Sequence, residues 1–319
     1  MIDEHVVRLR FAFAVTAFAA LTFCTNVSFA EEQPDALERA ATDAAQPLDE
    51  KKKRSRLDAE DDQGPAATKA KDELAAELAN PTAAVMSMRS LLDVTYYRGD
   101  APGARKASFT YSFQPAFPFM TKNEKGNLIF RPLIPVQFGQ PYINTAGTVD
   151  SAVSFGNIGL DSIYGKTFSN GLMVLGGVAT VFPTASKPEL RADWAFGPEA
   201  MIGRASKRFI FGVIVAYTWS FPAAPKKQTV SGQYFWWINL DKAWQVGAGP
   251  TFSYSRETRV TQFPIGLGFR KVLALGKKKQ PLQVGAEAWL YVAQADALGP
   301  QWTLRITVAP VIPIPWGKM

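Results

Sequence analysis

The side chains able to do chemistry are few, and they recur at alternate positions of extended runs. Asp93, Arg131, Asp161, Glu199, Arg270, Glu287 and Arg305 each sit on the face opposite an apolar one, in segments where polarity flips from one residue to the next. Three arginines among four carboxylates either neutralise one another in ladders or set the selectivity of a polar pathway. Gln114, Gln137, Gln233, Gln245, Gln262 and Gln283 share their parity, as do Phe235, Trp237, Trp289 and Tyr291, which offer aromatic contacts along the same path. Asp161 and Glu199 are the one pair that resembles an acid and base. With three arginines on the same face, charge neutralisation is the stronger reading.

Other chemistry is limited by what the chain lacks. Arg8 and Arg10, the apolar run from Phe11 to Phe23 and Ser28-Phe29-Ala30 read as a secretory leader over residues 1–30. Cys24 follows a bulky Phe23, which argues against a lipoprotein signal. The single His and the single Cys, His5 and Cys24, both lie within that leader, so cleavage after Ala30 leaves neither. That excludes Ser-His-Asp and Cys-His catalysis, the usual zinc ligands and disulfides. The glycine pairs at 247–249 and 266–268 do not open a helix after a parallel strand, so a phosphate loop is not supported. The expectation is a protein without catalytic residues, metal or cofactor.

Charge divides along the chain. Residues 31–80 hold 14 acids and 8 bases, and residues 81–319 hold 12 acids and 25 bases. Residues 31–66 are rich in Ala, Asp, Glu, Gln and Pro, with one basic run at 51–56 and almost nothing to bury, and they read as a disordered extension. In the segment 68–80 Leu74 and Leu78 are four apart, Asp72 and Glu73 come early and Pro81 ends the run, which predicts a short helix. The sequence favours a helix lying loose outside the following domain over one entering it as a plug.

The elements that must position the polar face are strands. Twelve are read, at about 89–97, 106–118, 127–138, 157–168, 171–182, 193–204, 208–221, 228–240, 243–254, 260–273, 281–293 and 301–312. In the seventh, Phe209, Phe211, Val213, Val215, Tyr217 and Trp219 oppose Gly212, Ala216, Thr218 and Ser220. Successive strand residues point to opposite sides, so a long alternation means that each strand separates two solvents. Compact turns at 122–126, 169–170, 205–207, 241–242 and 274–280 alternate with longer connections at 139–156, 183–192, 222–227 and 294–300. That asymmetry, with an even strand count and both termini on the short-turn side, is the pattern of a transmembrane antiparallel β-barrel inserted from one side. A barrel strand turns only half its residues to lipid, so 47% hydrophobic residues and a mean hydropathy of −0.05 are compatible with a membrane protein. Pro115, Pro132, Pro135, Pro198, Pro250, Pro264 and Pro310 each remove a ladder donor, so the wall is expected to be irregular.

Several segments resemble a known family. These are Asn157-Ile158-Gly159-Leu160-Asp161, the run from Gly171 to Ala185, Phe196-Gly197-Pro198, Trp219-Ser220 and Gly299-Pro300-Gln301-Trp302-Thr303-Leu304-Arg305, with Asn80-Pro81 at the entry to the first strand. They resemble the bacterial outer-membrane barrels often mislabelled "neuromedin U", related to the family associated with the meta-pathway of phenol degradation. The resemblance spans residues 80–313, carries no catalytic motif and implies uptake of hydrophobic or aromatic compounds. The chain departs from the family in its charged extension, in the Pro-rich stretch 310–315 and in ending three residues after Trp316.

The sequence therefore predicts an all-β protein: a leader over 1–30, an acidic extension with a short helix over 31–80, and an outer-membrane barrel over 81–319. Its partners are outer-membrane lipid, lipopolysaccharide and a small solute, with no nucleic acid. Passive passage of small, hydrophobic, aromatic or anionic compounds is the leading expectation, with a closed structural or adhesion barrel as the alternative.

Overall fold

Alternation in the sequence becomes a continuous antiparallel wall in the computed structural model, which describes residues 65–121, 126–221, 227–276 and 279–316. The expected leader, the extension up to residue 64 with its basic run, and parts of the connections at 122–126, 222–227 and 274–280 lie outside the described residues. Helix α1 (Pro65–Ala79) precedes β1 (Ser87–Arg98), β2 (Lys106–Met120), β3 (Asn127–Ile143), β4 (Val149–Phe155), β5 (Ile158–Thr167), β6 (Leu172–Phe182) and β7 (Trp194–Ala205). There follow β8 (Phe209–Phe221), β9 (Gln228–Asn239), β10 (Trp244–Ala248), β11 (Thr251–Ser255), β12 (Val260–Leu275), β13 (Gln280–Ala293) and β14 (Gly299–Pro310).

Fourteen segments occupy twelve wall positions, because β4 and β5 both pair with β3, and β10 and β11 both lie between β9 and β12. Pairing of β1 with β14, from Ser90↔Val308 to Arg98↔Gly299, closes the barrel, and β4, which pairs with β3 alone, stands outside the closed ring. Chain entry at Ser87 and exit at Val311 bridge one another at the short-turn end, called the lower end below.

Two expectations are corrected. The long loop expected over 139–156 is a hairpin: β3 runs on to Ile143 and β4 returns from Val149, closed by Asn144, whose side-chain oxygen accepts from the Ala146 and Thr148 amides. The single strand expected over 243–254 is split between β10 and β11 at Gly249-Pro250. Proline marks most breaks in pairing. Ladder partners are missing over 114–116 opposite 131–133, where Pro115 and Pro132 face each other, and again at Gly197-Pro198, and the register shifts at Phe263/Pro264.

The outer face is apolar. Phe209, Phe211, Val215, Tyr217, Leu267, Phe269, Leu304 and Ile306 are all exposed on it, while their neighbours Ile210, Ile214, Ala216, Thr218 and Ser220 on β8 are buried inside. Outer aromatic pairs gather near both ends: Phe182 with Trp194 and Tyr96 with Trp302 above, Trp244 with Phe269 and Phe119 with Phe130 below. Two such girdles flanking an apolar band fit the two interfaces of a bilayer. Trp316 folds back onto the lower girdle, stacked 4.8 Å from Phe119, its indole N–H donating to the Pro118 carbonyl at 2.8 Å. Among the described residues no helix is long and apolar enough to cross a membrane.

Candidate functional site in the barrel lumen

Helix α1 lies inside the barrel, which corrects the expectation of a helix loose outside it. The reason is visible on the inner face of the lower wall. Ile129, Ile163, Met173, Leu175, Met201, Ile210 and Ile214 point inward and are buried, so this part of the lumen is apolar and requires an apolar cover. Ala79 packs into that cluster with Ala76 beside it, and Ala75 and Leu78 pack on Ala243 and Val272. Small residues on the contact face let the helix approach the wall closely.

Polar bonds fix its height. The Ala243 amide donates to Asp72, and the buried Gln245 side chain donates to the Ala75 carbonyl at 3.1 Å. At the C-terminal end Asn80 donates to Thr167 at 2.8 Å, the Thr82 and Thr167 hydroxyls share a 2.7 Å bond, and Asn127 donates to the Thr82 carbonyl at 2.8 Å. The chain thus turns back down to the lower rim and enters β1.

Next to the end of α1 the strands bring the charged side chains together as a belt. On one side the Arg131 Nε and Nη2 bind Asp161 Oδ2 at 2.9 and 2.8 Å, and Nη2 lies 3.9 Å from Glu199 Oε1. Arg131↔Asp161 is a direct cross-strand pair of β3 and β5, so ladder register sets this contact. The two carboxylates meet one guanidinium, an arrangement for neutralising charge and not for acid–base work. On the other side Arg305 holds Asp93 through two parallel bonds of 2.7 Å, again between direct cross-strand partners. Such fork-to-fork pairing is the strong form of an Arg–carboxylate contact.

Arg305 also lies 4.1 Å over the ring of Trp289, whose N–H donates to Glu287 at 2.9 Å, and Glu287 accepts the Gly249 amide at 2.9 Å. Arg270 stacks 3.5 Å over Trp237 and its Nε donates to Gln245 at 2.6 Å, in the range of cation–π attraction. Tyr291 lies higher on the inner face of β13, half-buried and apart from the cavities at the belt. Gly285, the cross-strand partner of Arg270, has a positional reason: a Cβ there would stand 2.7 Å from the Arg270 Cβ.

One belt residue escaped the sequence reading. Arg89 faces inward near the foot of β1, donates to Gln114 at 3.5 Å and lines the lumen beside Arg131. It sits at the expected first residue of its strand, where boundary placement is weakest, although its parity with Asp93 marks it as inward.

The space left is small. A cavity of about 80 Å³ lies between the end of α1 and the belt, and another of about 50 Å³ lies between α1 and the wall at Gln114 and Ile129. A wider recess of about 430 Å³ opens at the lower rim between Glu77, Asn80, Met120 and Lys166. In this conformation the lumen is occupied by α1 and the belt.

No family model matches the chain, and no curated protein matches it. Among solved structures, an outer membrane channel from Pseudomonas putida F1 is similar over 73% of this chain and 97% of its own, at 12% identity and a TM-score of 0.52. The NanC porin aligns over 70% of this chain and 98% of its own, at 10% identity and a TM-score of 0.41. OmpT, an outer membrane protein of Vibrio cholerae, aligns over 71% and 97%, at 12% identity and a TM-score of 0.35. The likeness to the Pseudomonas structure is one of fold.

Proposed function

We propose that this protein is an outer-membrane channel for the passive passage of small solutes, captured here with its lumen closed by α1. The observation that carries the reading is the location of the helix: a short amphipathic segment occupies the lower lumen of a closed barrel with an apolar outer band, and its displacement would connect the lower recess to the belt. The fold shared with the Pseudomonas channel supports the same reading.

The belt gives the channel its selectivity. Arg131, Arg270 and Arg305 draw anions, and Asp93, Asp161, Glu199 and Glu287 balance them. Trp237 and Trp289 hold the Arg270 and Arg305 guanidiniums in place, and the half-buried Tyr291 offers a ring to planar solutes. The likeness of 157–161 and 299–305 to barrels associated with phenol degradation supports aromatic compounds within that class. No catalytic step is involved. Flux into proteoliposomes tests the proposal: protein reconstituted in lipid is expected to admit small organic anions faster than sugars of the same size. If neither enters faster than into protein-free vesicles, with or without residues 65–79, the alternative of a closed structural barrel stands instead.

A further inference from the structure

The belt balances as a whole, four guanidiniums to four carboxylates, but unevenly. Arg131 is shared by Asp161 and Glu199, and Arg305 is bound by Asp93, whereas among the described residues no carboxylate approaches Arg89 or Arg270 within ion-pair distance. Both unpaired arginines line the same cavity of about 80 Å³, beside the paired Arg131 and Arg305 and with Glu287 as the one carboxylate on its wall. Glu287 already accepts two hydrogen bonds, from the Gly249 amide and the Trp289 indole. Two donors on the wall are left over. The Nη2 of Arg270 and the Nε2 of Gln283 are buried and have no hydrogen-bond partner among the protein atoms, and Gln283 is only 1% exposed. Buried donors without acceptors are costly, and a site that leaves two of them on one cavity wall is arranged for an acceptor from outside.

We infer that this cavity is a binding site for the carboxylate group of a small organic anion, held between Arg89 and Arg270 with Gln283 as a third donor. Two features select that group. With Arg131 and Arg305 held by Asp161, Glu199 and Asp93, the two unpaired guanidiniums face one carboxylate, a local excess of one positive charge that matches a monoanion and not a phosphate dianion. The fork of a guanidinium presents two parallel N–H groups at the spacing of carboxylate oxygens. Gly285, directly across from Arg270, brings bare backbone to the same cavity wall. Trp237, stacked on Arg270, holds the guanidinium plane in place. This deepens the channel reading, on which it rests for the supply of solute, and names a resting point within the path.

Binding of ¹³C-carboxyl-labelled acetate to the full chain in detergent, followed by NMR, tests it without any need for conduction. Saturable binding is expected, weakened at least tenfold in Arg89→Gln and in Arg270→Gln and unchanged in Lys187→Gln, whose ammonium lies in an outer connection. Acetamide should not compete, and phosphate should compete less well than unlabelled acetate. Should Arg270→Gln fail to fold because its stacking on Trp237 is lost, Arg89→Gln, which gives up one long hydrogen bond to Gln114, carries the test alone. Absence of saturable binding, equal affinity in Arg89→Gln and the parent, or tighter binding of phosphate than acetate would each overturn the inference. Flux without acetate binding removes this site and leaves the channel; acetate binding without flux removes the channel and leaves the site.

Discussion

Arg131 is the most heavily used side chain of the belt, since it is the counterion of two carboxylates on two other strands. Removing one member of an enclosed charge cluster leaves the others desolvated and unpaired, at about 3–5 kcal/mol. Arg131→Gln is therefore expected to lower the stability of the folded barrel in detergent by that order, measured by denaturant unfolding, and Arg131→Gln with Asp161→Asn to recover part of the loss. An additive double mutant would mean that the two side chains do not interact. The residues of this cluster were legible in the sequence because a strand shows its two faces by parity alone. Their partners were not, since Arg131 meeting Asp161 and Arg305 meeting Asp93 depends on ladder register, which no single strand records. Arg89 was lost for a related reason: parity fixes a face only once the start of a strand is fixed.

Helix α1 shows how a wrong premise hides an element. A lumen read from its charged, amide and aromatic residues leaves Ile163, Met173, Leu175, Ile210 and Ile214 without a purpose, although β6 is apolar on both faces, with Val174 and Val178 exposed outside. Apolar residues on an inner face need cover, and among the described residues the α-helix that supplies it is Pro65–Ala79. That signal was present in the sequence but was not set against the helix, whose own residues favoured a loose position outside the barrel. Two expectations follow for the element. Ala75→Asp places an unpaired charge against Ala243 and Val272 and should open the lumen to solute flux. A disulfide between cysteines introduced at Asp72 and Ala243, which already touch through a hydrogen bond, should hold the helix in place, so that flux falls on oxidation and returns on reduction. Flux indifferent to the redox state would show that α1 stays seated while solutes pass.

At the scale of the molecule, a closed sheet faces hydrocarbon outside and a packed mixture of apolar and charged groups inside. Val215 lies at the middle of β8 on the exposed outer face. Val215→Lys is expected to cost about 2–4 kcal/mol of stability measured in lipid, the value for a charge near the midplane of a barrel, and much less in an outer connection such as 183–193. The twelve positions of the wall and the closure between its first and last strands were legible because turn chemistry and alternation repeat along the whole chain. The hairpin of β3 and β4 was not, because Gly139, Pro141 and Gly147 read as loop, whereas a bulge at Gln137/Gln140 lets β3 continue to Ile143.

Single-channel recording in planar lipid bilayers of the full chain and of the chain lacking residues 65–79 addresses the claim that a lumenal helix closes a conducting barrel. The full chain is expected to be closed for most of the record, and the shortened chain to show long-lived openings of higher conductance that favour anions. Identical records from the two chains, or silence from both, would contradict it.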